Sequence, residues 1–535
     1  YEFDRDRPHA WRYRDYVIKA LNEDKPYDRF IQEQIAGDEL FPDSKDAHIA
    51  TGFLRNGPEA NIKTDETRLD ELDDLIATTS GAFLGLTAGC ARCHDHKFDP
   101  IPQRDYFRLQ AVYWNTKYNE LPLVDSAEAD RIKAEQKKFD QLIQPLKKEL
   151  AALEKPYRDR LQKERFDALP DYIKAALNTP ADKRTEGQRL QALQIEKAFN
   201  VDPMALKAAL SEADRAKQAE LQNQIDAIEE KKPLIPSAMA IANTDKLSKH
   251  SPGAFTALGG GDFSSANGRF RSALAQWISS PDNPLTARVV VNRVFLQHFG
   301  EAFVDTPSNF GKSGSGVKNQ DLLDTLAVEF MRDGWSLKKL HRRLMLSRAY
   351  QGELRPRRLE AEALRDSVLA VAGSLDRTPG GPGIHPYIDP RLWQASSGRK
   401  WPGRPDSDPA TWRRSVYIFT NRTIPVPLME VYDKPDTQQG SCSRRNRSTT
   451  STQALIMMNS SFIETQSQRF ADRLLKEAGS DPAQQVKLAF SLALGRAPSP
   501  KEAANSLAFL RSGDPHALPD FCQTIFNLNE FAYVP

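Results

Sequence analysis

Four cysteines in 535 residues are too few for a disulfide-built scaffold. No stretch approaches the roughly 18 apolar residues that a membrane-spanning helix needs. Charge of one sign is lacking as well: 74 Lys and Arg stand against 72 Asp and Glu, a formal balance of +2. That sum gives no reason to expect nucleic acid or an anionic membrane as a partner. No phosphate-cradling glycine loop, nucleophile elbow or helical zinc motif is evident, and "LGGGDF", without a following Lys-Ser/Thr, reads as loop. There is no initiator Met and no signal peptide. The chain opens within what already reads as folded sequence, so it is expected to be a trimmed piece of a longer precursor.

What is present reads as a soluble globular chain of two to four units, with 39% hydrophobic and 27% charged residues. The expected fold class is mainly α: a multidomain helical protein with a coiled-coil hairpin insertion and few short strands. Residues 1–125 carry helix-spaced apolar residues such as Trp11, Tyr16, Val17 and Leu21, then Phe30, Ile31 and Ile35. In 126–232, Ile132, Phe139, Leu146 and Leu153 recur every seven residues. Leu206, Leu210, Leu221, Ile225 and Ile228 repeat near 3.5, which suggests a coiled-coil or helical arm with a short cap around 167–200. Pro145 is expected to kink its first helix. Residues 233–268, rich in Pro, Gly and Ser, read as a linker. Residues 269–535 read as a C-terminal mainly helical domain. In it Gly334 stops one helix, Ser336 caps the next, "SPKE" at 499–502 is a capping box and "DPAQ" at 481–484 has the same layout. "RRSVYIFT" at 413–420 is its one strand candidate.

Two of the four cysteines fall in "LGLTAGCARCHDHKFDPIPQRDYF". Cys90-Ala-Arg-Cys93-His94 has the spacing that attaches c-type haem. Two thiols three residues apart on a helical turn reach the vinyl groups on one side of a porphyrin, and the next residue, His94, supplies the proximal iron ligand. Chance would produce the pattern in roughly one chain in two thousand of this composition. Two other readings remain: a zinc or other structural-metal site, which wants a second Cys/His pair, and a dithiol redox centre, which wants a thioredoxin-like frame. The distal ligand is undecided among Met457, Met458, His298, Met429, Met345, His341, His250 and His385. His96 is expected on the proximal side, bonded to a carboxylate such as Asp95 or Asp99. The carboxylates of "TDETRLDELDD" at 64–74 read as a solvated helix face. Trp393, Trp401 and Trp412 offer aromatic faces to a glycan, or else anchor a long loop. Cys442 and Cys522 are either buried thiols or one bridge.

With its flanks, the motif resembles the signature of a large family of exported planctomycete-type cytochrome c proteins, in which two adjoining domains of uncharacterised function follow a small cytochrome c domain. "YRDYVIKALNEDKPYDRFIQEQIAGDEL" and "ATGFLRNGPEA" match the first domain. "NPLTARVVVNRVFLQHFGEAFVDTPSNFG", "LLDTLAVEFMRDGWSLKKLHRRLMLSRAY" and "STQALIMMNSSF" match the second. The resemblance implies an extracytoplasmic haem protein of the periplasm or cell envelope and no particular reaction. The Cys-x-x-Cys-His spacing, absent from the other two cysteines, gives the expectation of a monohaem electron-transfer protein or haem-dependent oxidoreductase, linked to polysaccharide breakdown only by the association of such proteins with carbohydrate-degrading genes. By position it makes Cys90 and Cys93 the thioether residues of one covalent haem c and His94 its proximal ligand, in a haem-bearing domain 1–125 that is N-terminally incomplete. The implied partner is a redox protein, such as another cytochrome c domain. A glycan partner, a homo-oligomer through 126–232 and an envelope-assembly role are the other expectations.

Overall fold

The computed structural model describes residues 7–59, 64–189, 192, 201, 203–244, 263, 268–352, 356–393, 401–435 and 442–534. It is 62% helical with few short strands, as the apolar spacing predicts. Two compact units emerge, one formed by Tyr1–Leu121, Ala238–Trp393 and Trp401–Pro535, the other chiefly by Pro122–Ser237.

The first unit holds several cores. Helix Tyr27–Leu40 buries Ile31 and Ile35 at i and i+4, and helix Gln103–Trp114 buries Tyr106, Leu109, Val112 and Tyr113. Leu274, Ala275 and Ile278 of helix Phe270–Ile278 complete that core, together with Ile241. A fully buried cation joins these elements. Arg271 donates to both carboxylate oxygens of Asp38 at 2.7 Å, to the Ile35 carbonyl at 3.2 Å and to Asn243 at 3.0 Å, with Glu39 also 3.2 Å away. Glu39 in turn accepts from the backbone N–H of Ser272 at 2.8 Å.

Glu33 is buried beside this core. It accepts from Tyr16 at 2.7 Å, from Arg29 at 2.8 Å and from Lys25. Burial works to raise its carboxyl pKa, but these donors outweigh burial and hold it below the ordinary value. The charged form is therefore the stabilising one. Its contribution is complete above the unfolded-state value of about 4.3 and is lost as pH falls through the lower folded value. A titration of thermal stability is expected to show a smaller loss on acidification for Glu33→Gln than for the parent.

Residues 287–344 and 361–531 supply two further cores. Helix Gln320–Arg332 is followed by Gly334 at φ 78, and the Ser336 hydroxyl accepts from the Lys339 N–H at 3.1 Å to open helix Leu337–Met345. Ser499 and Glu502 form the reciprocal capping box. Asp481 caps helix Pro482–Leu494 through the Ala483 N–H.

Strand Thr116–Pro122 pairs with strand Ser237–Asn243, and Arg357–Arg358 pairs antiparallel with Tyr533–Val534. The strand expected at 413–420 is not formed. Ser415–Tyr417 is a 3-10 turn, and only isolated parallel bridges occur, at Arg413 and Ile418. The reason is tertiary: buried Arg365 draws in the carbonyls of Thr411 and Arg413 and the Ser415 hydroxyl, so the β-prone side chains Tyr417 and Ile418 are buried by an irregular loop.

The second unit is a helical hairpin. Helix Ser126–Asp167 and helix Glu212–Glu229 run antiparallel: Lys147 meets Glu229 at 2.8 Å, Glu154 accepts from Gln218 at 2.8 Å, and Tyr157 donates to Asp214 at 2.5 Å. Such exposed pairs contribute little; the seam is Ile132, Ile143, Leu221 and Ile225. The first helix runs through both Pro145 and Pro156. Helix Asp171–Asn178 begins the expected cap, while residues 190–191 and 193–200 lie outside the described residues, as does most of the expected linker.

Candidate functional site

Thr64 opens the helix Asp65–Thr79 that leads to the Cys–His segment, accepting from the Thr67 N–H at 3.2 Å while the Thr67 hydroxyl accepts from the Thr64 N–H at 2.9 Å. A π-helical turn, Ser80–Leu84, follows and ends at Gly85. Gly85 has φ 60, and a Cβ there would lie 2.8 Å from the Phe310 ring and 2.9 Å from Val289, so only glycine fits. The chain then makes a 3-10 turn, Ala88–Arg92. Ala88 and Ala91 turn inward, and Cys90 and Cys93 are both free and exposed.

His94 is exposed and its Nδ1 lies 2.6 Å from the Asp95 carbonyl. A carbonyl only accepts, so Nδ1 carries the proton and Nε2 is left with a lone pair. His96 is the opposite case. Its Nδ1 accepts from the backbone N–H groups of Asp99 at 2.9 Å and Phe98 at 3.3 Å, and its Nε2 donates to Thr87 Oγ1 at 3.0 Å. His96 thus ties the loop to itself. The expected carboxylate bond is replaced by backbone donors; Asp99 Oδ2 stands 3.5 Å from Nδ1. Asp95 is also a positioning group, its Oδ1 accepting from the Gln103 N–H at 2.7 Å where helix Gln103–Trp114 begins.

The carboxylates of 64–74 are not all solvated. Glu71 is buried against Arg68 at 3.2 Å, and Asp73 accepts from Tyr106 at 2.7 Å and pairs with Arg92 at 3.3 Å. Burial, then the neighbouring charge of Asp73, pushes the Asp74 carboxyl up. The helix packs on both Gln103–Trp114 and the Cys-bearing turn, which leaves less of it facing solvent than its polarity suggests.

The loop is also held from the C-terminal part of the sequence, which sequence reading did not anticipate. Asp99 is buried, and its Oδ1 accepts from the Lys312 N–H at 2.7 Å. Its Oδ2 accepts no hydrogen bond among the described residues, and a Cβ on Gly311 would lie 2.1 Å from it. Phe310 N–H donates to the Gly85 carbonyl at 2.7 Å, and Arg293 donates to the carbonyls of Gly81, at 2.7 Å, and Ala82. The only sequence signal was the glycine in "SNFGKSG". Gly311→Ala must displace this clamp; a destabilisation of about 1–3 kcal/mol is expected, measured by chemical denaturation.

The donor set is of the kind that a covalently attached haem would take. Among the described residues no three His, Cys, Asp or Glu side chains converge as a metal cage. Thioether attachment needs no such convergence. It needs two accessible thiols at this spacing and an imidazole whose outer nitrogen is unprotonated, and Cys90, Cys93 and His94 supply them.

The distal candidates are scattered. Met457 is buried in the 361–531 core and Met458 is exposed on the same helix, Ser451–Asn459. His298 Nε2 lies 2.7 Å from His341 Nδ1, in edge contact with Tyr350. None of Met457, Met458 and His298 is joined to the Cys–His loop by a hydrogen bond or ring contact among the described residues. His250 lies outside them. The tryptophans are loop anchors rather than a sugar platform: Trp401 and Trp412 are buried and donate to the carbonyls of Pro386 and Asp406, and Trp393 donates to Ile388. Cys442 is exposed and Cys522 buried, so they form no bridge; burial pushes the Cys522 thiol up.

The fold and the loop define a mainly helical protein whose Cys–His segment, near the N-terminus, is clamped by a glycine-bearing loop from the C-terminal half. Residues 1–118 match the family model PSCyt2, a protein of unknown function (DUF1549), and residues 270–510 match PSD1, a protein of unknown function (DUF1553). The chain carries these two domains in tandem, the planctomycete-type pair. No curated protein and no solved structure gives a match.

Proposed function

We propose that this protein is an extracytoplasmic monohaem c-type redox protein, passing electrons to or from a partner protein. The observation that carries the reading is the Cys–His segment itself: two free, exposed thiols in Cys-x-x-Cys-His spacing, beside an imidazole whose Nδ1 is engaged and whose Nε2 is available. Cys90 and Cys93 would hold the haem through thioether bonds, and His94 would offer Nε2 to its iron. The attached haem supplies one-electron chemistry. The chain's own residues fix the geometry around it. Asp95 orients the segment on the 103–114 helix, His96 closes the loop, and Asp99 locks it to Lys312. The exposure of the segment suits exchange of electrons with another protein, a second cytochrome c domain being the natural candidate. Among the described residues no helix is long and apolar enough to cross a membrane.

Absorption spectra of the oxidised and reduced protein, purified from a host that matures c-type cytochromes, test the reading. A Soret band and a reduced α-band that survive denaturation in alkaline pyridine are expected. Spectra with no band above the aromatic absorption would remove the proposal.

A further inference from the structure

A second feature, in the C-terminal domain, is unrelated to the Cys–His segment. Strand Arg357–Arg358, Asp433–Lys434 and the coil 442–448 bring together six cations, Arg357, Arg358, Lys434, Arg444, Arg445 and Arg447, and three carboxylates, Glu360, Glu362 and Asp433. The carboxylates are already used. Asp433, at φ 61, accepts from Arg358 at 2.5 Å and from the Ser448 N–H at 2.8 Å, which pins the arginine-bearing coil to the strand. Glu362 takes both ends of Arg445, at 2.7 and 3.1 Å, with Glu360 3.3 Å away.

Arg357 points its fork at the carbonyls of Gln297 and His298 at the end of helix Thr286–Phe299. What remains is surplus positive charge. The Arg444 and Arg447 side chains are exposed, and among the described residues neither guanidinium has a hydrogen bond or ion pair, while the buried Nε–H of Arg358 has no acceptor there. Burial and the charges of Arg357, Arg444 and Arg358 push the Arg447 guanidinium down, against a weaker pull from Glu360.

Like charges held together cost folding stability, so the fold alone gives no reason for this grouping. Guanidinium forks match the oxygens of sulfate, phosphate and carboxylate, and an anion there would neutralise the surplus. We infer that Arg444 and Arg447, backed by Arg357 and Arg358, form an oxyanion-binding site. The site stands whether or not the chain carries haem.

Calorimetry and thermal shift with sodium sulfate, sodium phosphate and sodium glucuronate, each against sodium chloride at equal ionic strength, test it. At least one oxyanion is expected to raise the midpoint above chloride. Sulfate or phosphate alone would assign a tetrahedral anion, and glucuronate alone a carboxylate; either supports the site. Arg447→Gln is expected to hold or raise the midpoint without anion, since it relieves repulsion, and to weaken binding about tenfold or more. Arg447→Lys, which keeps charge without the fork, falls between. Arg444→Gln, at another exposed position, guards against misfolding of the first variant, and Arg511→Gln, at the exposed end of helix Pro500–Leu510, is the control. Oxyanions that stabilise no more than chloride, or Arg447→Gln and Arg444→Gln variants that bind as Arg511→Gln does, would overturn the inference.

Discussion

Arg271→Met is expected to lower the stability of the protein by about 3–5 kcal/mol. Arg271 is fully buried and joins helix Phe270–Ile278 to the end of helix Tyr27–Leu40. Methionine fills much of the same volume, so little of the loss comes from packing. It comes from Asp38 and Glu39, which lose the fork that neutralises them at 2.7 and 3.2 Å in a place where they are 12% and 3% exposed. The triple variant Arg271→Met, Asp38→Asn, Glu39→Gln removes those charges and is expected to recover part of the loss. Urea denaturation measures both. Because the helix at 270–278 begins the second family match and its partner helix lies in the first, the variant also tests whether the two matched segments share one core.

The second large effect falls on the Cys–His segment. Cys90→Ser with Cys93→Ser is expected to abolish covalent haem while the fold persists, since both side chains are exposed and neither makes a hydrogen bond in the core. On the proposed reading His94→Ala is expected to keep the thioether bonds but to change the spin state seen in the optical and magnetic spectra, because Nε2 of His94 would be the iron's proximal nitrogen. Far-ultraviolet dichroism separates this outcome from unfolding. An unchanged spectrum for His94→Ala would place the ligand elsewhere.

How far the sequence speaks for the structure depends on the range of the forces involved. Helix ends marked by local chemistry were legible: Ser336, Ser499 and Gly334 act where their residue types predict, because caps are satisfied within a few residues. The Cys-x-x-Cys-His spacing was legible for the same reason. What was hidden depends on distant partners. Arg365 turns a β-prone run into a loop from 46 to 50 residues away. Glu71 and Asp73 look solvated until the helices that cover them are known. The clamp of Asp99 on Lys312 spans 213 residues, and its need for Gly311 is a matter of a missing Cβ, which no local pattern announces. Trp401 and Trp412 look like a sugar platform in a polar stretch, yet their indole N–H groups bond carbonyls only 15 and 6 residues away and their rings are buried.

The mass of the denatured chain tests the central claim most directly. Expressed with a c-type cytochrome maturation system, the protein is predicted to run heavier than its sequence by one haem, with the increment on the peptide that contains Cys90 and Cys93 and absent from the Cys90→Ser, Cys93→Ser variant. A chain at its bare sequence mass, with both thiols free to alkylate, would contradict it.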